Sequence, residues 1–198
     1  MAKNTRQRIL DSALALFGRH GVSGVSLEMV AAEVALTRQA IYRYFKDRDS
    51  LFVEAVQSLH AQALEAAEVA ALAATKAGRP LDVTLADVLE ARFAPFVERL
   101  EQSGHADELL AENARLVGEV ASDYQERLVS LVARLIVLHR QSTGAQLRHG
   151  LTDDDLAHYL IQAVLGVKAA TSPRQPAAFR RKMRIMVAIV TRGGLADP

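Results

Sequence analysis

From His105 to His139 the apolar side chains Leu109, Leu116, Val120, Tyr124, Leu128, Leu131 and Leu135 recur at helical spacing almost without interruption. That period does not fit a strand, where alternate residues face opposite sides, so the stretch is committed to helix packed on helix. Whether it is one long helix or two broken near Gly118 stays open, because the period is the same in both. The rest of the sequence agrees: Ala, Leu and Val dominate, Trp is absent, and 50% hydrophobic content over 198 residues can fill one large core or two small ones. The expected fold is all-α.

Several classes of function are excluded by what the chain lacks. With no Cys there are no disulfides and no thiolate metal site, as in a cytosolic protein. The opening MAKNTRQRIL has no apolar signal core, and no run of about 18 uncharged apolar residues occurs, so the expectation is a soluble, unexported, cytoplasmic chain. HExxH, GxSxG, Walker and GxGxxG motifs are absent, and no cofactor or catalytic residue is expected. Charge is unevenly spread. Residues 1–50 carry eight Lys or Arg against five Asp or Glu, residues 51–131 six against fourteen, and residues 132–198 ten against four. A basic N-terminal end, with Lys3, Arg6 and Arg8 near its start, suits contact with phosphates, whereas the acidic middle does not.

The stretch Val22–Lys46 carries the chemistry. Ser26 is a good N-cap for a helix over Leu27–Val34, with Glu28 in the first turn, where the helix dipole favours a carboxylate. Thr37 caps a second helix, Arg38–Phe45, in which Ile41 and Phe45 point inward. Arg38, Gln39, Tyr42 and Arg43 are left facing out. Arg can fork onto guanine, Gln can pair with adenine, and Tyr can reach phosphate or a thymine methyl. Lys46, just past the helix, sits where a phosphate could also meet free backbone N–H groups.

Residues 9–52 resemble the N-terminal domain of the TetR family of transcriptional regulators. The resemblance rests on Phe17 with His20-Gly21 at the end of the first helix, the Ser26 cap, the run Ile41-Tyr42-x-Tyr44-Phe45-Lys46, and Leu51-Phe52. It implies a helix-turn-helix DNA-binding domain over residues 1–47 and a ligand-binding and dimerisation domain over 48–198. In such a domain Arg38, Gln39, Ala40, Tyr42, Arg43 and Tyr44 face DNA, while Ser26 and Lys46 hold phosphates; Arg6 and Thr37 complete the expected DNA-binding set. One departure is Ala35, at a turn position usually held by Gly, where a positive φ would cost about 1 kcal/mol. Gln39 likewise replaces a smaller residue.

Along the rest of the chain a first helix is expected over Thr5–His20, stopped by Gly21. A long helix should run from an Asp47 cap to about Ala74. TKAGRP (75–80) reads as a loop, followed by a helix opened by Thr84 and Asp87 as a capping box and kinked or split at Pro95. Thr152 with Asp153, Asp154 and Asp155 reads as an N-cap and acidic first turn, not a metal site. TSPRQP (171–176) is a turn, and the last helix is expected over roughly 177–192, ending at Gly193-Gly194. This tail also resembles the family's C-terminal helix pair.

Those last two helices are the expected dimer surface, through Tyr159, Ala163, Gly166, Met183, Val187 and Val190, so that two copies present two recognition helices to a palindromic operator on double-stranded DNA. A small, mainly apolar effector is expected between helices, near Phe93, Phe96, Leu109, Asn113, Leu116, Tyr124 and Tyr159. The alternative is control by a protein partner, with no small-molecule pocket. No metal and no membrane partner are expected.

Overall fold

The structure, a computed structural model, describes residues 4–172 and 175–196, the side chains of residues 119 and 120 excepted. Lys3, the Val120 side chain and residues 173–174 of the TSPRQP turn lie outside the described residues. The described chain forms α1 (Thr5–His20), α2 (Leu27–Glu33), α3 (Arg38–Ile41), α4 (Arg48–Lys76), α5 (Leu81–Glu101), α6 (Ala106–Thr143), α7 (Asp153–Ala169) and α8 (Pro176–Gly194). Sheet is confined to β1 (Gln146–Leu147), antiparallel to β2 (Leu195–Ala196). The fold is all-α.

Two compact units are formed: Met1–Gln62 with Glu98–Ser122, and Ala63–Val97 with Asp123–Pro198. In the first, Ile9, Ala13 and Phe17 of α1, Leu27 and Val30 of α2, and Ile41 and Phe45 bury together with Leu51 and Phe52 of α4. The Phe17 and Phe52 rings meet edge-on at 5.2 Å. Apolar burial of this kind holds the three short helices, since α2 and α3 are too short to be stable alone. Local caps fix their ends. Asn4 Oδ1 accepts from Gln7 N, Ser26 Oγ from Met29 N, Thr37 Oγ1 from Ala40 N, and Asp47 Oδ1 from Ser50 N.

Val117 of α6 is buried in this same core, with Leu109 and Leu116 half-buried against it. Ser103 Oγ donates to Gly18 O at 2.8 Å, and Ser23 N donates to Glu108 Oε1 at 2.7 Å. Gly21 has φ +72°, a left-handed conformation that favours glycine, and it lies beside the Glu108 carboxylate.

The second unit buries Leu85, Leu89 and Phe93 of α5 against Leu128, Val132 and Ile136 of α6, Leu160 and Val164 of α7, and Phe179, Met183 and Val187 of α8. Thr152 is the expected N-cap of α7 and forms a capping box with Asp155, Thr152 N donating to Asp155 Oδ2 at 2.8 Å. Among the described residues no group of acidic or histidine side chains could hold a metal.

Several boundaries differ from the sequence expectation. The α-helix after Thr37 ends at Ile41, and Tyr42–Tyr44 continue it as a tighter turn in which Arg43 N and Tyr44 N donate three residues back. Thr84 does not open α5: the helix begins at Leu81, and Thr84 is buried inside it, because Leu81 and Leu85 extend the apolar face one turn earlier. Pro95 does not split α5, which is assigned as one helix across it. Residues 106–143 make one helix through Gly118. At the far end Gly193 and Gly194 remain in α8, with Gly194 packed against Leu156, and the chain then pairs as β2.

Candidate nucleic-acid interface

The roll of α3 is set from below. Ile41 is fully buried and Phe45 nearly so, and these i, i+4 anchors turn Arg38, Gln39, Tyr42 and Arg43 outward, where all four are exposed. Tyr44 and Lys46 are also exposed, and Ala40 is half-buried. The side chains of Gln39 and Arg43 make no hydrogen bond among the described residues, so their donors face solvent.

The turn before α3 holds this face in place. Ala35 adopts φ +56°, the left-handed conformation that suits glycine. Leu36 N donates to Ala31 O at 2.8 Å and Ala35 N to Ala32 O at 3.2 Å, the paired bonds of a Schellman motif. Arg8 Nη2 takes up the Val34 carbonyl at 3.2 Å, satisfying one of the carbonyls left free at the end of α2.

Glu28, read from the sequence only as a helix-dipole residue, organises the exposed face. Its Oε1 lies 2.9 Å from Arg38 Nε and accepts the Tyr42 hydroxyl at 3.2 Å. The Arg38 guanidinium stands 5.7 Å from the Tyr42 ring centroid. Backbone hydrogen bonding at the start of α2 holds the Glu28 carboxyl below its usual range, with Ser26, Tyr42 and Arg38 adding to the effect. These contacts join residues 10 and 14 positions apart, which no periodic signal marks.

Other expected contacts are partly occupied by the protein itself. Arg6 pairs with Glu54 and lies 5.0 Å over the Phe45 ring. Lys46 Nζ is 3.8 Å from Asp47. Ser26 and Thr37 spend their side-chain oxygens on caps, so a phosphate beside them would meet the hydroxyl hydrogen or the free N–H groups of the first turn.

The residues assigned to an effector pocket are not brought to one place. Leu109 and Leu116 pack on the core of the first unit, where Asn113 also falls. Tyr159 is 58% exposed. Phe93, Phe96 and Tyr124 do gather in the second unit, around Arg92, whose signal in the sequence is a charge set between the core residues Leu89 and Phe93. The dimer set divides too. Tyr159 and Gly166 are exposed and Ala163 is half-buried, but Met183 and Val187 lie fully buried in the core of their own unit, with Val190 packed against it. On α8 the large exposed apolar residues among those described are Ile185 and Ile189.

Residues 9–55 match the family profile described as bacterial regulatory proteins, tetR family. The HTH-type transcriptional regulator AcrR of Shigella flexneri is 53% identical over 53 residues, 27% of this chain and 25% of that protein. The chain spans about a quarter of the length of the curated relatives it matches first. Likeness in fold extends over nearly all of it. A transcriptional regulator from a Rhodococcus species has a TM-score of 0.70 at 16% identity, covering 98% of this chain and 100% of the other. SmeT, the repressor of the Stenotrophomonas maltophilia multidrug efflux pump SmeDEF, has a TM-score of 0.64 at 24% identity, covering 98% and 92%, and its triclosan complex is similarly related. Below a quarter identity these likenesses carry the fold alone.

Proposed function

We propose that this chain, whose residues 9–55 match the TetR family of bacterial regulatory proteins, is a homodimeric transcriptional repressor of that family, released from a palindromic operator by a small, mainly apolar effector. The observation that carries the reading is the exposed Arg38, Gln39, Tyr42 and Arg43 face, held outward by buried Ile41 and Phe45. Residues 1–47 read DNA in this account, and residues 48–198 bind the effector and pair the copies. No catalysis is ascribed to a chain whose relatives are named as regulators. No described helix is long and apolar enough to cross a membrane, and the operator puts the protein in the cytoplasm.

One recognition helix buries too little surface for tight binding, so two are required, about 34–36 Å apart on successive major grooves. Exposed Ile185 and Ile189 on α8, with Tyr159, Ala163 and Gly166 on α7, favour a four-helix interface between two copies. Release is a population shift: the effector binds better to the conformer whose two heads are wrongly spaced. Helices α4, α5 and α6 each contribute residues to both compact units, which gives such a shift a covalent route. SmeT, in complex with triclosan, is a precedent of the same fold for a small aromatic ligand.

Selection of bound duplexes from a random pool tests the reading. The expected outcome is one enriched sequence with two-fold symmetry. Enrichment of a single unsymmetrical half-site, or of nothing, overturns it.

A further inference from the structure

In the second unit an open groove of about 680 Å³ runs between the C-terminal half of α6 and the start of α7. Ala133 is buried in it, Val137 is half-buried, and Leu138 is 55% exposed. Arg134, Thr152 and Asp154 along its walls are exposed as well, so it opens to a surface and does not close around a small molecule. Its lining includes no residue of α8 and none of Tyr159, Ala163 and Gly166.

The charges of the groove divide into two kinds. Asp153 is neutralised locally, because Arg140 Nη1 donates to both its carboxylate oxygens at 2.9 and 2.8 Å. Arg134 on α6 and Asp154 on α7 are not. Neither side chain has an ion pair or hydrogen bond among the described residues, and they do not pair with each other. One wall thus carries an unmet cation and the other an unmet anion. Leu138 follows Arg134 at i, i+4 and so shares its face of α6.

A surface with a cation on one side, an anion on the other and an apolar side chain between them is complementary to itself after a half-turn. We propose that this groove is a second contact between copies of the chain, in which a two-fold axis sets Leu138 against Leu138 and pairs Arg134 of each copy with Asp154 of the other. It goes beyond the α7/α8 dimer and joins one dimer to the next. Burial of Leu138 and Val137 supplies the attraction, whereas the two exposed ion pairs add little strength and fix orientation and register. The groove has eight lining residues, against roughly 20–30 a side in a stable interface. The contact is therefore weaker than the dimer, and it fills at high protein concentration or where two dimers share one duplex.

The chain has no cysteine, so disulfide trapping tests this directly. Leu138→Cys is compared with Leu72→Cys, an α4 position of matched exposure (57%), in the full chain under copper phenanthroline at high protein concentration. Covalent pairs are expected to form at least about tenfold faster at position 138. Adding Arg134→Asp or Asp154→Arg to Leu138→Cys faces like charges and should slow the link at least about fivefold. Mixing those two reversed chains should restore it, because both contacts then join opposite charges again, an outcome that a misfolded variant cannot give. Equal rates at 138 and 72 overturn the contact and leave the groove to solvent or to another partner. A link indifferent to either reversal, or not rescued in the mixture, overturns the pairing. With Ile189→Glu added to Leu138→Cys the link should persist; its loss would make Leu138 the rim of the α7/α8 dimer and overturn a second contact. No DNA enters the assay, so its outcome is independent of the operator reading.

Discussion

Glu28 Oε1 stands 2.9 Å from Arg38 Nε, so an arginine that the proposed function assigns to base contact is already paired with a carboxylate of the preceding helix. Arg38 is 74% exposed at its side chain, and an exposed, solvent-screened pair of this kind contributes little. A good base contact is worth roughly 1–3 kcal/mol. On the proposed function, a base contact therefore outcompetes Glu28 for the arginine, against a small opposing contribution.

Replacing Glu28 with Gln removes that competition and also a negative charge facing the phosphates. Operator affinity, read by fluorescence anisotropy at low salt, should rise about two- to fivefold, with the gain shrinking as salt is added. Arg38→Ala should do the opposite, costing about 1–3 kcal/mol per half-site and relaxing the base preference there. Equal affinities for wild type and Glu28→Gln at low salt would remove Glu28 from the recognition surface.

Ala35 supplies a stability test. At φ +56° an L-residue with a Cβ is strained by about 1–2 kcal/mol, while glycine in its place adds about 0.4–1 kcal/mol of unfolded-chain entropy to be lost. Ala35→Gly should accordingly stabilise the fold by about 0.5–1 kcal/mol, measured as a higher denaturation midpoint at unchanged slope.

Two neighbours on α8 separate folding from assembly. Val187 is fully buried, and Val187→Glu should destabilise the protein itself by about 4 kcal/mol or more. Ile189 is 61% exposed, and Ile189→Glu should change the stability of a single chain by under about 0.5 kcal/mol while converting dimer to monomer in sedimentation. A folded Ile189→Glu and a folded Ala163→Arg that both still sediment as dimers would move the interface elsewhere.

Acid should loosen the first unit through Glu108. The Ser23 N–H holds its carboxyl below the usual 4.5, with a smaller contribution from His105. A carboxyl lowered on folding stabilises when ionised, so its contribution is complete above its unfolded value and is lost as pH falls through the folded one. Glu108→Gln should make the fall in stability between about pH 5 and pH 3 shallower than in wild type, as followed by thermal denaturation. Parallel curves for the two proteins would show that Glu108 does not carry it.

The local features of the head were legible in the sequence. Ser26 and Thr37 cap helices because a short oxygen-bearing side chain meets N–H groups three residues on, and Ile41 and Phe45 share a face because they are four apart. That spacing alone fixes which way Arg38, Gln39, Tyr42 and Arg43 turn. The sequence left the φ of Ala35 conditional, and the local Schellman bonds of the turn make it positive.

What only the tertiary structure decided is which neighbour each face meets. Helix α8 carries Met183 and Val187 alongside Ile185 and Ile189, and its period allows either pair to be the core. Packing on α7 buries the first and leaves the second exposed. Likewise, nothing within reach of a helical period joins Glu28 to Arg38, Glu108 to Ser23, or Arg92 to Lys168, residues separated by 10, 85 and 76 positions. Hydrogen bonds within a turn are written in the order of residues; contacts between helices depend on crossing geometry and on which apolar surfaces bury one another first.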